Sequence, residues 1–282
     1  MALTDLQLKV ASEYAVQGIQ KHMAPLTFFA HNFKELEDRP GAAIAVPVFD
    51  LDDAADFNSS TNNWCNSEEI DGITVTLDKH LIKSITLDDV TASESDVNFL
   101  RDGAVAISRV LGHAANKYVF GLLANVTDSA TVDLSTKAAF ANLFAVADAN
   151  DVNPYESVLV LDPTNFSTLL GTMDAYVYGG PEAVKDGIVP GLFGFRAVLC
   201  SSYLPDGVVG SIIPYGTLGI ASRVNKPAIN GYAATFTAAD DNGLAIGFRA
   251  FEHLCEGRMI LGGDMLIGAR VLQEGIINLV NQ

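Results

Sequence analysis

The clearest pattern along the chain lies at residues 73–87. Ile73, Val75, Leu77, Lys79, Leu81, Lys83, Ile85 and Leu87 hold the odd positions, and Thr74, Thr76, Asp78, His80, Ser84 and Thr86 hold even ones, with Ile82 the exception. Alternation with a period of two marks a strand with one buried face. Fifteen residues at ~3.3 Å each reach roughly 50 Å, whereas ordinary strands run to about 5–6 residues. Residues 43–51 are the expected partner. Pro47 there cannot donate to a ladder, which predicts an edge strand or a break. The intervening residues 52–71 are rich in Asp, Asn, Ser and Glu, with one tryptophan, Trp64. Region 41–90 therefore reads as a long two-stranded ribbon with a polar tip. Such a ribbon is marginal on its own in water, so its apolar face needs a neighbour, and a neighbouring subunit is the economical candidate.

The period then changes. Ser93 with Asp96 gives a capping-box-like helix start, and Val97, Leu100, Ala104, Ile107, Leu111, Ala114, Tyr118 and Leu122 recur at spacings of three and four. Roughly 30 residues at ~1.5 Å predict a rod of about 45 Å. Gly103, Gly112 and Gly121 within it permit close approach of another backbone. A second helix is predicted over 135–149, with Phe140, Leu143, Phe144 and Ala147 on one face.

Residues 1–40 read as an arm. Tyr14, Ile19 and Met23 hint at a helix that Pro25 interrupts, and Phe28, Phe29 and Phe33 follow with little around them to form a local core. Two readings stay open: aromatics buried against another part of an assembly, or an N-terminal helix packed on its own domain. From residue 156 the elements shorten. Residues 158–161 form a strand ended by Asp162-Pro163, and 164–170 a short helix. Gly179-Gly180-Pro181 is a turn leading into a helical turn over 181–186, and strands at 197–200 and 208–213 flank the Pro205-Asp206-Gly207 turn. Strands at 245–253, 259–272 and 276–280 close the chain. The fold class is α+β.

Composition narrows the function. Of 282 residues 49% are hydrophobic and only 18% are charged, low against the roughly 25% usual for soluble domains, so much of the surface is expected to lie against other copies. With 17 basic and 34 acidic residues the net charge is −17. Gripping nucleic acid needs a basic footprint and none is clustered here, whereas an acidic wall can contain DNA without adhering to it. Cys65, Cys200 and Cys255 are widely spaced and odd in number, which argues against a disulfide framework. The longest uncharged stretch, 207–222, contains Pro214 and several glycines and is shorter than the ~20 apolar residues of a membrane helix.

Signs of catalysis are poor. His22, His31, His80, His113 and His253 show no metal-ligand spacing, and no GxSxG elbow, phosphate loop or GxGxxG turn occurs. Asp50, Asp52, Asp53, Asp56 and Asn58 resemble a calcium loop only superficially, because the central glycine and terminal glutamate are missing at the required offsets. Asp88-Asp89 and Asp240-Asp241 are adjacent carboxylates that point to opposite faces of an extended chain and fit turns better than an acid–base pair. No catalytic residue, cofactor or metal is expected.

The order of parts, together with the segments Val75-Thr76-Leu77-Asp78-Lys79-His80 to Ile85-Thr86-Leu87-Asp88-Asp89-Val90 and Gly191-Leu192-Phe193-Gly194-Phe195-Arg196 to Ser201-Ser202-Tyr203-Leu204-Pro205, resembles the major capsid proteins of tailed bacteriophages, with their Hong Kong 97-like fold. The resemblance spans nearly the whole chain. It implies an N-terminal arm at 1–40, an extended β-ribbon loop at 41–90, a peripheral domain with its spine helix at 91–155, an axial domain at 156–243, and returning strands of the peripheral domain at 244–282. It further implies self-assembly into hexamers and pentamers of an icosahedral shell around double-stranded DNA, assembled in the host cytoplasm as a virion capsid, with a portal as partner. Some such coats carry a cleaved N-terminal scaffolding region, and none precedes the arm here. A separate scaffolding protein, or a chain that begins after processing, is therefore expected.

On that mapping Leu77, Lys79, Leu81, Lys83 and Ile85 make ribbon contacts with an adjacent subunit, and Phe28, Phe29 and Phe33 make the arm contacts. Leu81→Asp is then expected to fold yet assemble poorly. Two other readings remain: a cargo-enclosing nanocompartment shell, which resembles the same fold, and a soluble α/β enzyme.

Overall fold

Pro25 does not end the first helix. In the computed structural model, which describes residues 5–33, 43–48, 71–88, 99–172, 188–224, 234–239, 244–253 and 257–281, α1 runs Asp5–Thr27 straight through it. One proline costs a helix a single hydrogen bond and some crowding, and packing on both sides of it, through the buried Ile19 and Leu26, outweighs that cost. The short strand β1 (Ala30–Asn32) follows, then β2 (Ala43–Val48), β3 (Asp71–Thr76) and β4 (Lys79–Asp88). Helix α2 covers Phe99–Gly121 and is continued by a 3-10 turn at Leu122–Asn125. Strand β5 (Ser129–Val132), helix α3 (Lys137–Asp148), strand β6 (Ser157–Leu161) and helix α4 (Pro163–Thr172) come next. Strands β7 (Ile188–Pro190), β8 (Ala197–Cys200), β9 (Val208–Pro214), β10 (Leu218–Arg223), β11 (Ala234–Ala239), β12 (Ala245–His253), β13 (Arg258–Val271) and β14 (Ile277–Asn281) complete the chain.

Among the described residues these strands make two six-stranded sheets and one ribbon. The first sheet runs β1-β10-β13-β12-β11, with β4 also paired to β13. The second runs β5-β14-β9-β6-β8-β7, and β2 pairs β3 alone. Sheet membership cuts across the segments expected from sequence. Strands β10 and β11, from within 156–243, belong to the first sheet, while β5 and β14, from outside that span, belong to the second.

Helices α1 and α2 lie together on the first sheet. The buried stripe of α2 is Leu100, Gly103, Ala104, Ile107, Ser108, Leu111, Gly112, Ala115, Asn116, Val119 and Phe120. It starts on the predicted positions and drifts one residue on by the far end, from Ala114 and Tyr118 to Ala115 and Val119, because 3.6 residues per turn does not close on a 3-4 count. The capping box at Ser93 and Asp96 lies outside the described residues. Close approach is visible at two glycines. A methyl on Gly18 of α1 would stand 3.0 Å from Ser108 Cβ of α2, and one on Gly103 would stand 2.9 Å from Leu261 Cδ2 of β13.

The second sheet has its own core. Phe140, Leu143 and Ala147 of α3 are fully or almost fully buried, with Leu159, Leu161, Val198, Ile212 and Leu279 from the strands beneath. Thr136 caps α3 by accepting from the Ala139 N–H at 3.3 Å. Asp162 does the same for α4, accepting from the Asn165 N–H at 3.1 Å ahead of Pro163. These are the helix-start residues that satisfy otherwise orphaned donors.

Candidate assembly surface

The expected 15-residue strand is broken. Thr76 ends β3, Leu77 and Asp78 carry no ladder, and Lys79 begins β4. The two halves have different partners. β2 and β3 pair antiparallel from Ala43↔Thr76 to Val48↔Asp71, with Pro47 opposite Gly72, in a ladder that has no further strand among the described residues. β4 pairs with β13 over ten residues, from Arg258↔Asp88 to Ile267↔Lys79. The ribbon of residues 41–90 is therefore confined, among the described residues, to β2 and β3, and the alternating face of β4 is used inside its own chain.

Register explains which face that is. Leu81 sits opposite Met265 and Ile85 opposite Leu261. Those β13 residues are fully buried, on the side where a methyl on Gly263 would stand 2.4 Å from Ile107 Cγ2 of α2. Leu81 and Ile85 pack against that same core. Leu77 packs in a smaller cluster with Val75, Val46, Ile73 and Phe33 over Ala221 and Leu272. Leu77, Leu81 and Ile85 are thus half-buried within their own chain, Leu81 and Ile85 against the core under α2 and Leu77 in the smaller cluster. Lys79 and Lys83 are exposed, Lys79 with its ammonium 5.7 Å from the centre of the Tyr118 ring.

The arm aromatics divide similarly. Phe29 is fully buried in the main core of its own chain, its ring 5.7 Å from that of Phe120. Phe28 is half-buried against the same core, and Phe33 lies edge-on to His31 at 4.7 Å and against Gly219. Both readings of the arm thus resolve, for residues 5–33, toward a helix packed on its own domain.

Three groups missed in the sequence hold the corner between β3 and β4. A methyl on Gly268 of β13 would fall 1.9 Å from the Thr76 carbonyl oxygen, so the chain crosses the sheet directly over that glycine. Arg270 Nη1 donates to the Thr74 carbonyl at 3.0 Å. The Tyr118 hydroxyl donates to Asp78 Oδ1 at 2.6 Å and accepts from the Ala269 N–H at 3.3 Å. Burial and the Asp78 carboxylate, in that order, push the Tyr118 hydroxyl pKa up to about 12. Further along, Asp264 is almost fully buried in the middle of β13. Its Oδ2 lies 3.2 Å from His80 Nε2 of β4 and accepts from Arg249 Nη2 of β12 at 3.3 Å. The one sequence clue is an aspartate alone inside the apolar run 259–269.

Beyond this clamp, the second face of β4 is open: His80, Ile82, Ser84 and Thr86 are exposed, Ile82 to 64%. Among the described residues no group of three His, Cys, Asp or Glu side chains could hold a metal ion, and no helix is long and apolar enough to cross a membrane. The Asp50–Asn58 cluster, Asp240-Asp241, Cys65 and Cys255 lie outside those residues, as do the turns at 179–186. Cys200 is a free thiol, its pKa raised by burial and then by Asp162.

No family model matches the sequence, and no curated protein matches it. Solved structures match its fold. The capsid of the native GTA particle aligns over 92% of this chain and 90% of its own, at 15% identity and a TM-score of 0.62. The capsid structure of the cyanophage P-SCSP1u aligns over 90% and 86%, at 15% identity and a TM-score of 0.57. The virus-like particle from Pyrococcus furiosus aligns over 98% and 100%, at 11% identity and a TM-score of 0.52. At such identities the likeness is one of fold, and the α+β capsid fold implied by the sequence resemblance is the fold observed.

Proposed function

We propose, from a chain that has the fold of phage capsid proteins along nine-tenths of its length, that this protein is the major capsid subunit of a tailed-phage-like particle. It assembles into hexamers and pentamers of an icosahedral shell that encloses double-stranded DNA, in the host cytoplasm, with a separate scaffolding protein and a portal as partners. The observation that carries the reading is the two-sided coverage. The match takes in 90–92% of this chain and 86–90% of the capsid chains it is laid on. A shared substructure inside an unrelated enzyme would cover one side only.

Contacts between copies are taken to use the β2–β3 ribbon, the half-buried Leu77, Leu81 and Ile85, the exposed Lys79 and Lys83, and the half-buried Phe28 and Phe33, with Phe29 covered by its own chain. A two-stranded ribbon is a poor free-standing object, and it gains from lying on a neighbour.

Electron microscopy of the purified full chain tests the proposal. Closed shells or six- and five-membered rings are expected, and a uniform monomer overturns it. At −17 per copy, subunits repel over a screening length of ~8–10 Å at physiological salt, so assembly is expected to rise with ionic strength. A second reading, a shell for cargo other than a genome, is favoured by the full-length match to the virus-like particle. Shells purified from the native host that contain protein and no double-stranded DNA select it.

A further inference from the structure

The helix period turns the scattered cations of α2 into a line. Arg109, His113 and Lys117 stand four residues apart and all three are exposed, on the ridge that faces away from the buried stripe of the helix. Eight residues at ~1.5 Å set the first and the last about 12 Å apart. No carboxylate occurs between Asp102 and Asp128, in a chain whose acids outnumber its bases by 34 to 17. Neither Arg109 nor Lys117 has an ion pair among the described residues. The sequence shows no basic cluster here because residues four apart become neighbours only on a helix.

The ridge is held in place by its own chain. Ile107 and Leu111 are buried beneath it, Gly18 brings α1 up to Ser108, and His113 Nδ1 shares a hydrogen bond with the hydroxyl of Tyr203, from the turn after β8. Most neighbouring acids are engaged elsewhere. Asp102 is paired with Arg101 at 2.7 Å, and Asp78 accepts from the Tyr118 hydroxyl at 2.6 Å. Glu13 of α1 lies at the level of Arg101, whose guanidinium stands 5.2 Å from the centre of the Tyr14 ring. Beyond it the exposed side chains of α1 are the neutral Gln17 and Gln20. Asp206, exposed three residues past Tyr203, is a single carboxylate against Arg109, Lys117 and the His113 imidazole.

We propose that the Arg109–His113–Lys117 ridge is a sequence-independent seat for the phosphate backbone of the enclosed duplex DNA; the choice of occupant rests on the shell-forming reading above. Positive charge alone would also draw an acidic surface of a second copy. The texture of the ridge separates the two. Interfaces between proteins centre on apolar and aromatic anchors and are depleted in lysine, whereas the exposed apolar side chains of α2 are Ala106 and Val110 alone. Contacts with nucleic acid are polar and strongly positive. A duplex carries one charge per ~1.7 Å of its axis, so phosphates stand opposite both ends of the line in whatever register it lies. One copy makes a weak contact, and repetition over a shell adds many of them, while the acidic remainder of the chain repels the same phosphates.

The test titrates unassembled full-length subunits with a labelled duplex of mixed sequence, from about 50 to about 200 mM salt. Wild type is compared with Arg109→Gln/Lys117→Gln and with Arg196→Glu, which makes the same change in net charge at an exposed residue before β8. All three should share one circular dichroism spectrum, since each altered side chain is on the surface. Wild type is expected to bind, less tightly as salt rises. The double variant should lose about two from the slope of log affinity against log salt, one for each phosphate contact removed, and about tenfold or more in affinity at the lowest salt. Arg196→Glu should keep the wild-type slope. A wild type that binds no duplex, or a double variant with an unchanged slope, overturns the inference and leaves the shell reading intact. A double variant that binds duplex like wild type yet forms no shells gives the ridge to a contact between copies instead. A wild type that binds duplex and never forms rings or shells keeps the phosphate seat and overturns the shell reading alone.

Discussion

Strands β3 and β4 come from one uninterrupted alternating segment, yet they live in different surroundings. β4 is built into the first sheet, ten residues deep in register with β13, one face against α2. β3 pairs, among the described residues, with β2 alone and meets the body of the protein at its root, where Val75 is buried over Ala221 and Leu272. The difference teaches that alternation reports a half-buried strand and says nothing of what buries it. It also shows how a ribbon is anchored: one half of a strand is made core, the chain turns at Leu77-Asp78, and the other half is pinned at its root by the buried Val75 and the Arg270 bond to Thr74.

That comparison breaks hardest at Gly268. Valine there places carbon where the Thr76 carbonyl lies, 1.9 Å from the expected Cβ. The corner must lift off the sheet, and the Arg270 bond to Thr74 goes with it. We expect a loss of about 3 kcal/mol, the upper end of over-packing costs, read by chemical denaturation. A Gly268→Val chain of unchanged stability would mean that the corner does not cross there. Leu81→Asp comes next. It puts a carboxylate against Met265 in a core that offers it no partner, so a loss of about 2 kcal/mol is expected in the isolated chain. This reverses the expectation from sequence, in which the same change spares folding and harms assembly alone. A normal melting curve for Leu81→Asp would restore the older view.

Much of this fold was legible where local pattern and final environment agree. The bounds of β12 and β13 fall within one or two residues of the apolar runs that predict them, and Phe140, Leu143 and Ala147 of α3 are buried as their spacing requires. Legibility failed where a distant partner decided the outcome. Nothing near residues 79–88 says that their ladder lies at 258–267, or that β1 runs parallel to β10. Pro25 looked like a stop because its local cost is readable and the packing of α1 on α2 is not. Of the candidate contacts, the exposed Lys79 and Lys83 remain on the surface. Leu77, Leu81 and Ile85 are half-buried within their own chain, and burial by one's own chain and burial by a neighbour leave the same trace in a sequence.

A smaller effect is expected at Tyr118, which ties the corner to α2. Tyr118→Phe deletes the donor to Asp78 and the acceptor for the Ala269 N–H, for a loss of about 1 kcal/mol. It also carries a pH signature. The folded chain holds the hydroxyl pKa near about 12 against an ordinary 10.0, because burial and the Asp78 carboxylate disfavour the phenolate. A raised folded pKa means the stabilisation is complete below pH 10 and is lost as pH climbs from 10 toward 12. Wild type should therefore lose stability in that window more steeply than Tyr118→Phe, and parallel curves would remove Tyr118 from the anchor.

The smallest change on folding, and the sharpest control, is at Ile82. It is the neighbour of Leu81 in sequence and points the other way, 64% exposed on the open face of β4 beside His80 and Ser84. Surface substitutions of this kind fall within about 0.5 kcal/mol, so Ile82→Asp should melt like wild type in the isolated chain, against the loss of about 2 kcal/mol assigned to Leu81→Asp. Two adjacent aspartates with opposite outcomes would fix the register of β4 on β13 independently of any structure, because a slip of one residue exchanges the two faces. If both variants melt early, a covering element lies over the open face. If neither does, β4 is not part of the sheet. Assembly then separates the surfaces: an Ile82→Asp chain that folds normally but forms no shells would add the open face of β4 to the contacts between copies, beside the ribbon it supports.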